Sequence, residues 1–134
     1  MQLVFPSARS LFASAGIDWS TDAFGVGVVD STYTYSPSHD FRNDVTGVLA
    51  TAALAGMTVL ADGVCDADDV SVSGVTLGDI VEGIFIYRNV GTAATDDLVW
   101  YANTNSDGTP IYRVSDGNPI AFSWSNGADR IFQI

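Results

Sequence analysis

The only histidine, His39, is flanked by Ser38 and Asp40, residue types from which a hydroxyl–imidazole–carboxylate relay could be assembled. No serine in the chain stands in a G-x-S-x-G turn of the kind that presents a nucleophile at a strand end. The segment SHDFRNDV, residues 38–45, reads instead as one helical turn, with Ser38 as its N-cap and Phe41 anchoring it to the core. The densest acidic cluster is Asp62, Asp66, Asp68 and Asp69 in DGVCDADD. Calcium loops need several oxygens converging on one point, and this run lacks the alternating acids and distal Glu of an EF-hand. It reads as a solvated turn that delivers Val70 into a strand, so no metal site is assigned. Glycoside hydrolysis needs paired carboxylates, but the single Glu, Glu82, borders an apolar IFIY run and Gly83. Gly25 and Gly27 lie inside a strand-like run, not before a helix, so they do not form a phosphate cradle. Cys65 is the only cysteine, which rules out an internal disulfide and a multi-thiolate metal site. It reads as a small buried hydrophobe. These residues point to a non-enzymatic protein without a cofactor.

The aromatic residues carry the stronger signal. Trp100, Tyr101 and Trp124, with Tyr33, Tyr35, Tyr87 and Tyr112, fall in β-like runs where alternate side chains face opposite sides. Adjacent Trp100 and Tyr101 must therefore point apart, one into the core and one outward. An outward ring would suit a protein interface or a carbohydrate platform.

The elements that would hold these residues are short. Residues 6–15 form the best helix candidate, with Pro6 in the first turn and Gly16 at the C-terminal cap. From Ile17 onward the chain becomes short β-rich runs separated by Gly, Asp, Asn and Ser. In FGVGVV, residues 24–29, Phe24, Val26 and Val28 share one face. Residues 48–54 and 57–60 read as strands around an Ala55-Gly56 hairpin turn. Further strands are expected at 70–75, 80–87, 98–103, 111–114, 120–124 and 130–134. Asp62-Gly63, Asp107-Gly108, Asp116-Gly117 and Asn126-Gly127 are hairpin dipeptides, the last pairing the ADRIF end with Ser123-Trp124. The pattern predicts an all-β fold: an antiparallel β-sandwich, jelly-roll-like, over residues 17–134, with an N-terminal arm and short helix over residues 1–16.

The chain has 134 residues and a net charge of −11, from 16 acidic and five basic residues, all five of them arginine. Dispersed arginines without lysine do not suit phosphate neutralisation, so neither nucleic acid nor an anionic membrane is an expected partner. No apolar run approaches the roughly 20 residues of a membrane span. The opening residues lack the basic n-region of a signal peptide. A soluble, single-domain, protein-binding module is the reading.

Several stretches together carry a resemblance that runs from about Ala8 to Ile134. They are IDWSTDAFGVGVVDSTYTYSPSHDFRNDV, ATAALAGMTVLADGVCDADDV, GTAATDDLVWY and SWSNGADRIFQI. The chain resembles a family of small tailed-phage virion structural proteins. That resemblance implies a virion location, with assembly in the host cytoplasm. The expected role is a capsid decoration, or cement, protein that stabilises the shell, with the major capsid protein as partner and a homo-oligomer, such as a trimer, as its form. A tail or head–tail junction protein and a carbohydrate-binding β-sandwich module are the alternatives. The partner-binding residues expected on this reading are Leu3, Val4, Phe5, Leu11 and Phe12 of the arm, with Trp100 and Tyr101.

Overall fold

β-Branched and aromatic residues set the strands of this chain, and two glycines set how closely its central strands approach. In the computed structural model, which describes residues 1–127 and 130–134, the elements are short. They are β1 (Gln2–Val4), α1 (Pro6–Ala13), β2 (Phe24–Val29), β3 (Val48–Ala53), β4 (Thr58–Leu60), β5 (Val64–Asp66) and β6 (Val70–Val72). After these come β7 (Ile80–Val81), β8 (Gly83–Arg88), β9 (Leu98–Ala102), β10 (Arg113–Val114), β11 (Ile120–Phe122) and β12 (Phe132–Gln133). The largest sheet is five-stranded, in the order β1-β9-β8-β2-β3, and every pairing in it is antiparallel. Smaller antiparallel units are β7–β10, β6–β11 and the three strands β12-β5-β4. The fold is all-β and sandwich-like, with one short helix near the N-terminus.

All six residues of β2 are buried, which requires cover on both faces of the sheet. On one face Val26 and Val28 lie beside Ile86 and Ile84 of β8, and Ile86 in turn beside Trp100 of β9. The β6–β11 ribbon adds Val70, Val72 and Ile120 to this core, and Trp124 meets Trp100 edge-on at 5.9 Å. On the opposite face Gly27 pairs with Phe85 and Gly25 with Tyr87, and the two rings lie over the glycines. A Cβ placed on Gly27 would fall 2.2 Å from the Phe85 ring, and one on Gly25 2.4 Å from the Tyr87 ring. The glycines of FGVGVV are therefore seats for aromatic rings. A strap between β2 and β3 covers these rings. It sets Tyr33 edge-on to Tyr101 (5.2 Å), stacks Tyr35 on Tyr101 (6.2 Å) and lays the Arg42 guanidinium over Tyr87 (4.7 Å).

Buried ion pairs fasten the strap and the loop before β9. Asp96 is fully buried, pairs with Arg42 Nε at 2.8 Å, and accepts the backbone N–H groups of Val90 (2.8 Å) and Gly91 (3.2 Å). Arg88 pairs with Asp97 and donates to the carbonyl of Gly16. At one end of the sheet Trp19 packs on Phe24 (4.6 Å) and Phe132 (5.1 Å), and its indole N–H donates to the Asp66 carbonyl.

Several expectations are corrected. Residues 1–16, the expected arm and short helix, dock on the sheet: β1 is the edge strand beside β9, Phe5 is fully buried against Tyr35 at 5.5 Å, and Ala8 of α1 is buried. The helix ends at Ala13, before the predicted residue 15, because Ala15 adopts φ 60° and the N–H of Gly16 bonds back to the Leu11 carbonyl. The turn predicted at 38–45 is a short 3₁₀ turn, Arg42–Asp44, capped by the Asp44 carboxylate rather than Ser38. Its anchor is buried Val45, while Phe41 is exposed.

Ala55-Gly56 does not close a hairpin. The chain leaves the large sheet there, and β4 pairs with β5 across Asp62-Gly63, whose φ values of 63° and 74° suit a tight hairpin. Asp107-Gly108 also closes a turn as predicted, the N–H of Asn105 bonding to the Thr109 carbonyl. Asp116-Gly117 joins β10 to β11, which pair with different strands. The closing strand β12 pairs with β5, not with Ser123-Trp124. Ala128 and Asp129 of the ADRIF turn lie outside the described residues.

Candidate functional site

The residues that suggested chemistry have structural partners. His39 Nδ1 lies 3.0 Å from the Tyr33 hydroxyl, and the nearby Ser36 and Ser38 hydroxyls bond each other at 2.9 Å. Burial, with the neighbouring Tyr101, pushes the Tyr33 phenol well above its usual range, so it stays protonated beside the imidazole. Cys65 is fully buried, and that burial raises its thiol to about 12, far from the range of a reactive thiolate. Asp69 accepts the N–H of Trp124 at 2.9 Å, Asp66 faces Arg130 at 3.7 Å, and Asp68 sits against Gly56. The acidic run thus ties β5, β6 and the Trp124 segment together. Among the described residues no group of three or more His, Cys, Asp or Glu could hold a metal ion.

One cleft of about 280 Å³ brings Glu82 and Asp30 together beside Tyr33 and Tyr101. The Thr32 hydroxyl and N–H both donate to Asp30 Oδ1 and hold its carboxyl below the usual aspartate range. An acid held ionised in this way is a poor proton donor to a leaving group.

The predicted partner-binding residues divide. Trp100 is 5% exposed and Tyr101 only 4%. They do point to opposite faces, but each face has its own cover, so neither ring reaches outward as expected. Val4 and Phe5 are buried, while Leu3, Leu11 and Phe12 are half-buried. Val4 and Phe12 line one surface cleft, of about 310 Å³, with Arg9, Gln133 and Ile134.

A third cleft of about 260 Å³ lies between Trp100 and Trp124, with Gln2, Thr104, Asn105 and Arg130 in its lining. It has the aromatic and amide lining of a sugar site, and several of its donors are engaged within the chain. The Asn105 amide donates to Thr109 and Pro110, the Gln2 amide to Thr104, Arg130 to Asn126, and the Trp124 indole N–H to Asp68.

Among the described residues, the most exposed large apolar side chains lie on the β7–β10 ribbon and its approach. Leu77 is 72% exposed, Tyr112 63% and Val114 50%. Val114 pairs with Ile80 across the ribbon, and Tyr112, two residues earlier, points to the same side. The ribbon is rigidly mounted: buried Ser115 donates its hydroxyl to the Val75 carbonyl, and its backbone bonds to Asp79 and Gly78. Single exposed apolar residues need no explanation, but three large ones in and beside one small ribbon are a surface that a partner could cover. The sequence signal for it was Leu77, an apolar residue in an otherwise polar turn before Gly78. No protein-family model matches this sequence, and comparisons with curated proteins and with solved structures return no match either.

Proposed function

We propose that this chain is a non-enzymatic virion structural protein, a capsid decoration protein that stabilises a tailed-phage shell by binding the major capsid protein. The resemblance described above suggests the setting. The observation that carries the reading is the exposure of Leu77, Tyr112 and Val114 in and beside one hydrogen-bonded ribbon, on a molecule whose net charge is −11. The negative charge keeps many copies dispersed until a specific contact forms. The fixed ribbon presents its side chains without an ordering cost at the moment of binding.

Co-sedimentation with shells assembled from a tailed-phage major capsid protein tests the reading. The wild-type chain pellets with shells to a saturating ratio. The double variant Leu77→Asp, Val114→Asp binds at least tenfold more weakly, with an unchanged melting temperature. No binding by the wild-type chain, or binding indifferent to the double variant, overturns the reading. Binding to tail tubes instead of shells would move the protein to the tail.

A further inference from the structure

Asn126 is the only asparagine of the chain that is followed by glycine. A carboxamide in that position can be attacked by the next backbone nitrogen, which closes a succinimide ring, and glycine has no side chain to hinder the approach. Both residues are exposed and lie outside any helix or strand, between β11 and β12. Among the described residues no backbone carbonyl accepts the N–H of Asn126 or of Gly127. The Gly127 N–H donates instead to the Ser125 hydroxyl at 3.0 Å. The attacking nitrogen is therefore not locked into a ladder.

The carboxamide has a partner that favours the attack. Arg130 donates from Nη1 to Asn126 Oδ1 at 2.9 Å. A guanidinium on that oxygen draws electrons from Cγ and stabilises the negative charge that the oxygen takes on when the carbon becomes tetrahedral. The ion pair of Arg130 with Asp66 runs through Nε, at 3.7 Å, and leaves Nη1 on the amide. Two acids that also precede glycine are placed differently. The Thr109 hydroxyl holds Asp107, and the Asn118 N–H holds Asp116, below the usual aspartate range, and an ionised carboxylate is a poor electrophile.

We propose that Asn126-Gly127 is a self-modification site, at which Arg130 polarises the Asn126 carboxamide for attack by the Gly127 nitrogen. The N–Cγ bond forms, the proton of that nitrogen passes through the Ser125 hydroxyl to water, and the Cγ–Nδ2 bond breaks as ammonia leaves. Water then opens the succinimide at one carbonyl or the other and leaves aspartate or iso-aspartate at position 126. Either product sets a new carboxylate beside Arg130 and adds one negative charge to the −11 of the chain. The iso-aspartyl product also lengthens the main chain between β11 and β12.

Peptide mapping by mass spectrometry, after incubation of the purified chain in warm, mildly alkaline buffer, measures the conversion. Enzymatic methylation of iso-aspartyl groups identifies that product. Wild type converts at Asn126 ahead of every other asparagine, while Asp107 and Asp116 remain unlabelled. Arg130→Met, which keeps the bulk and removes the donor, slows the conversion by about tenfold, less than the loss of a buried oxyanion donor because water reaches this site. Arg130→Lys, which restores a cationic donor, recovers most of the rate. A loosened turn would speed the reaction, so slower conversion in the Met variant is not the effect of lost structure. A wild-type chain whose Asn126 stays an amide while other asparagines convert overturns the proposal. So does an Arg130→Met chain that converts as fast as wild type or faster.

Discussion

Replacing Gly27 with alanine should destabilise this protein, although alanine is normally the better strand residue. Gly27 has an ordinary extended backbone, so relief of chain entropy alone would favour alanine by about 0.5–1 kcal/mol. The added methyl would fall 2.2 Å from the Phe85 ring, well inside van der Waals contact. Phe85 is fully buried and packed against Tyr87 at 5.8 Å, so the ring has no free space to rotate into. Overpacking at such a site costs about 1–3 kcal/mol, with the upper end applying here. The net loss is about 1–2 kcal/mol, which for a chain of this size lowers Tm by roughly 4–8 °C.

The same clash predicts a rescue. Phe85→Leu alone costs about 1.5 kcal/mol, but it shortens the side chain over Gly27. The double variant should therefore be at least about 1 kcal/mol more stable than the sum of the single losses. Urea denaturation followed by tryptophan fluorescence provides the four stabilities. A neutral or stabilising Gly27→Ala, or losses that add within about 0.5 kcal/mol, would refute the ring-seat argument.

Three further outcomes follow from the packing. Phe5→Ala should cost about 3–5 kcal/mol in the same urea assay, because Phe5 is a fully buried core residue; a loss below about 1 kcal/mol would contradict that placement. Asp96→Asn should cost about 3 kcal/mol, since it leaves Arg42 without its partner while retaining one acceptor for Val90 or Gly91. Backbone N–H groups of Phe41 and Asp40 hold the Asp44 carboxyl below the ordinary 3.8. A depressed carboxylate contributes stability above its unfolded value and loses it as pH falls through the folded one. The gap in urea midpoint between wild type and Asp44→Asn should thus be widest near neutrality and close below about pH 3, and a gap independent of pH would contradict the assignment.

Much of the architecture was legible because it follows from local rules. FGVGVV, IFIY and LVWY announced the central strands by composition and alternation, and Asp62-Gly63 and Asp107-Gly108 announced tight turns by their tolerance of positive φ. What alternation does not reveal is whether both sheet faces are covered. Trp100 and Tyr101 point apart as predicted, yet both are buried, because the strap bearing Tyr33 and Tyr35 closes one face and the Trp124 segment the other. Strand partners were equally non-local: Ala55-Gly56 looks like a hairpin turn but marks a change of sheet. Asp96 and Asp97 gave only a faint signal, two carboxylates placed directly before an apolar strand, and their arginine partners are far away in sequence. The exposed patch was the least legible feature. Tyr112 resembled the core tyrosines, yet it is 63% exposed beside the two-residue strand β10.

A cryo-EM reconstruction of shells incubated with the purified chain tests the central claim most directly. The account predicts discrete added density on the shell surface, fitted by this fold with Leu77, Tyr112 and Val114 against a capsid subunit. Bare shells, or bound density with that ribbon turned to solvent, would contradict it.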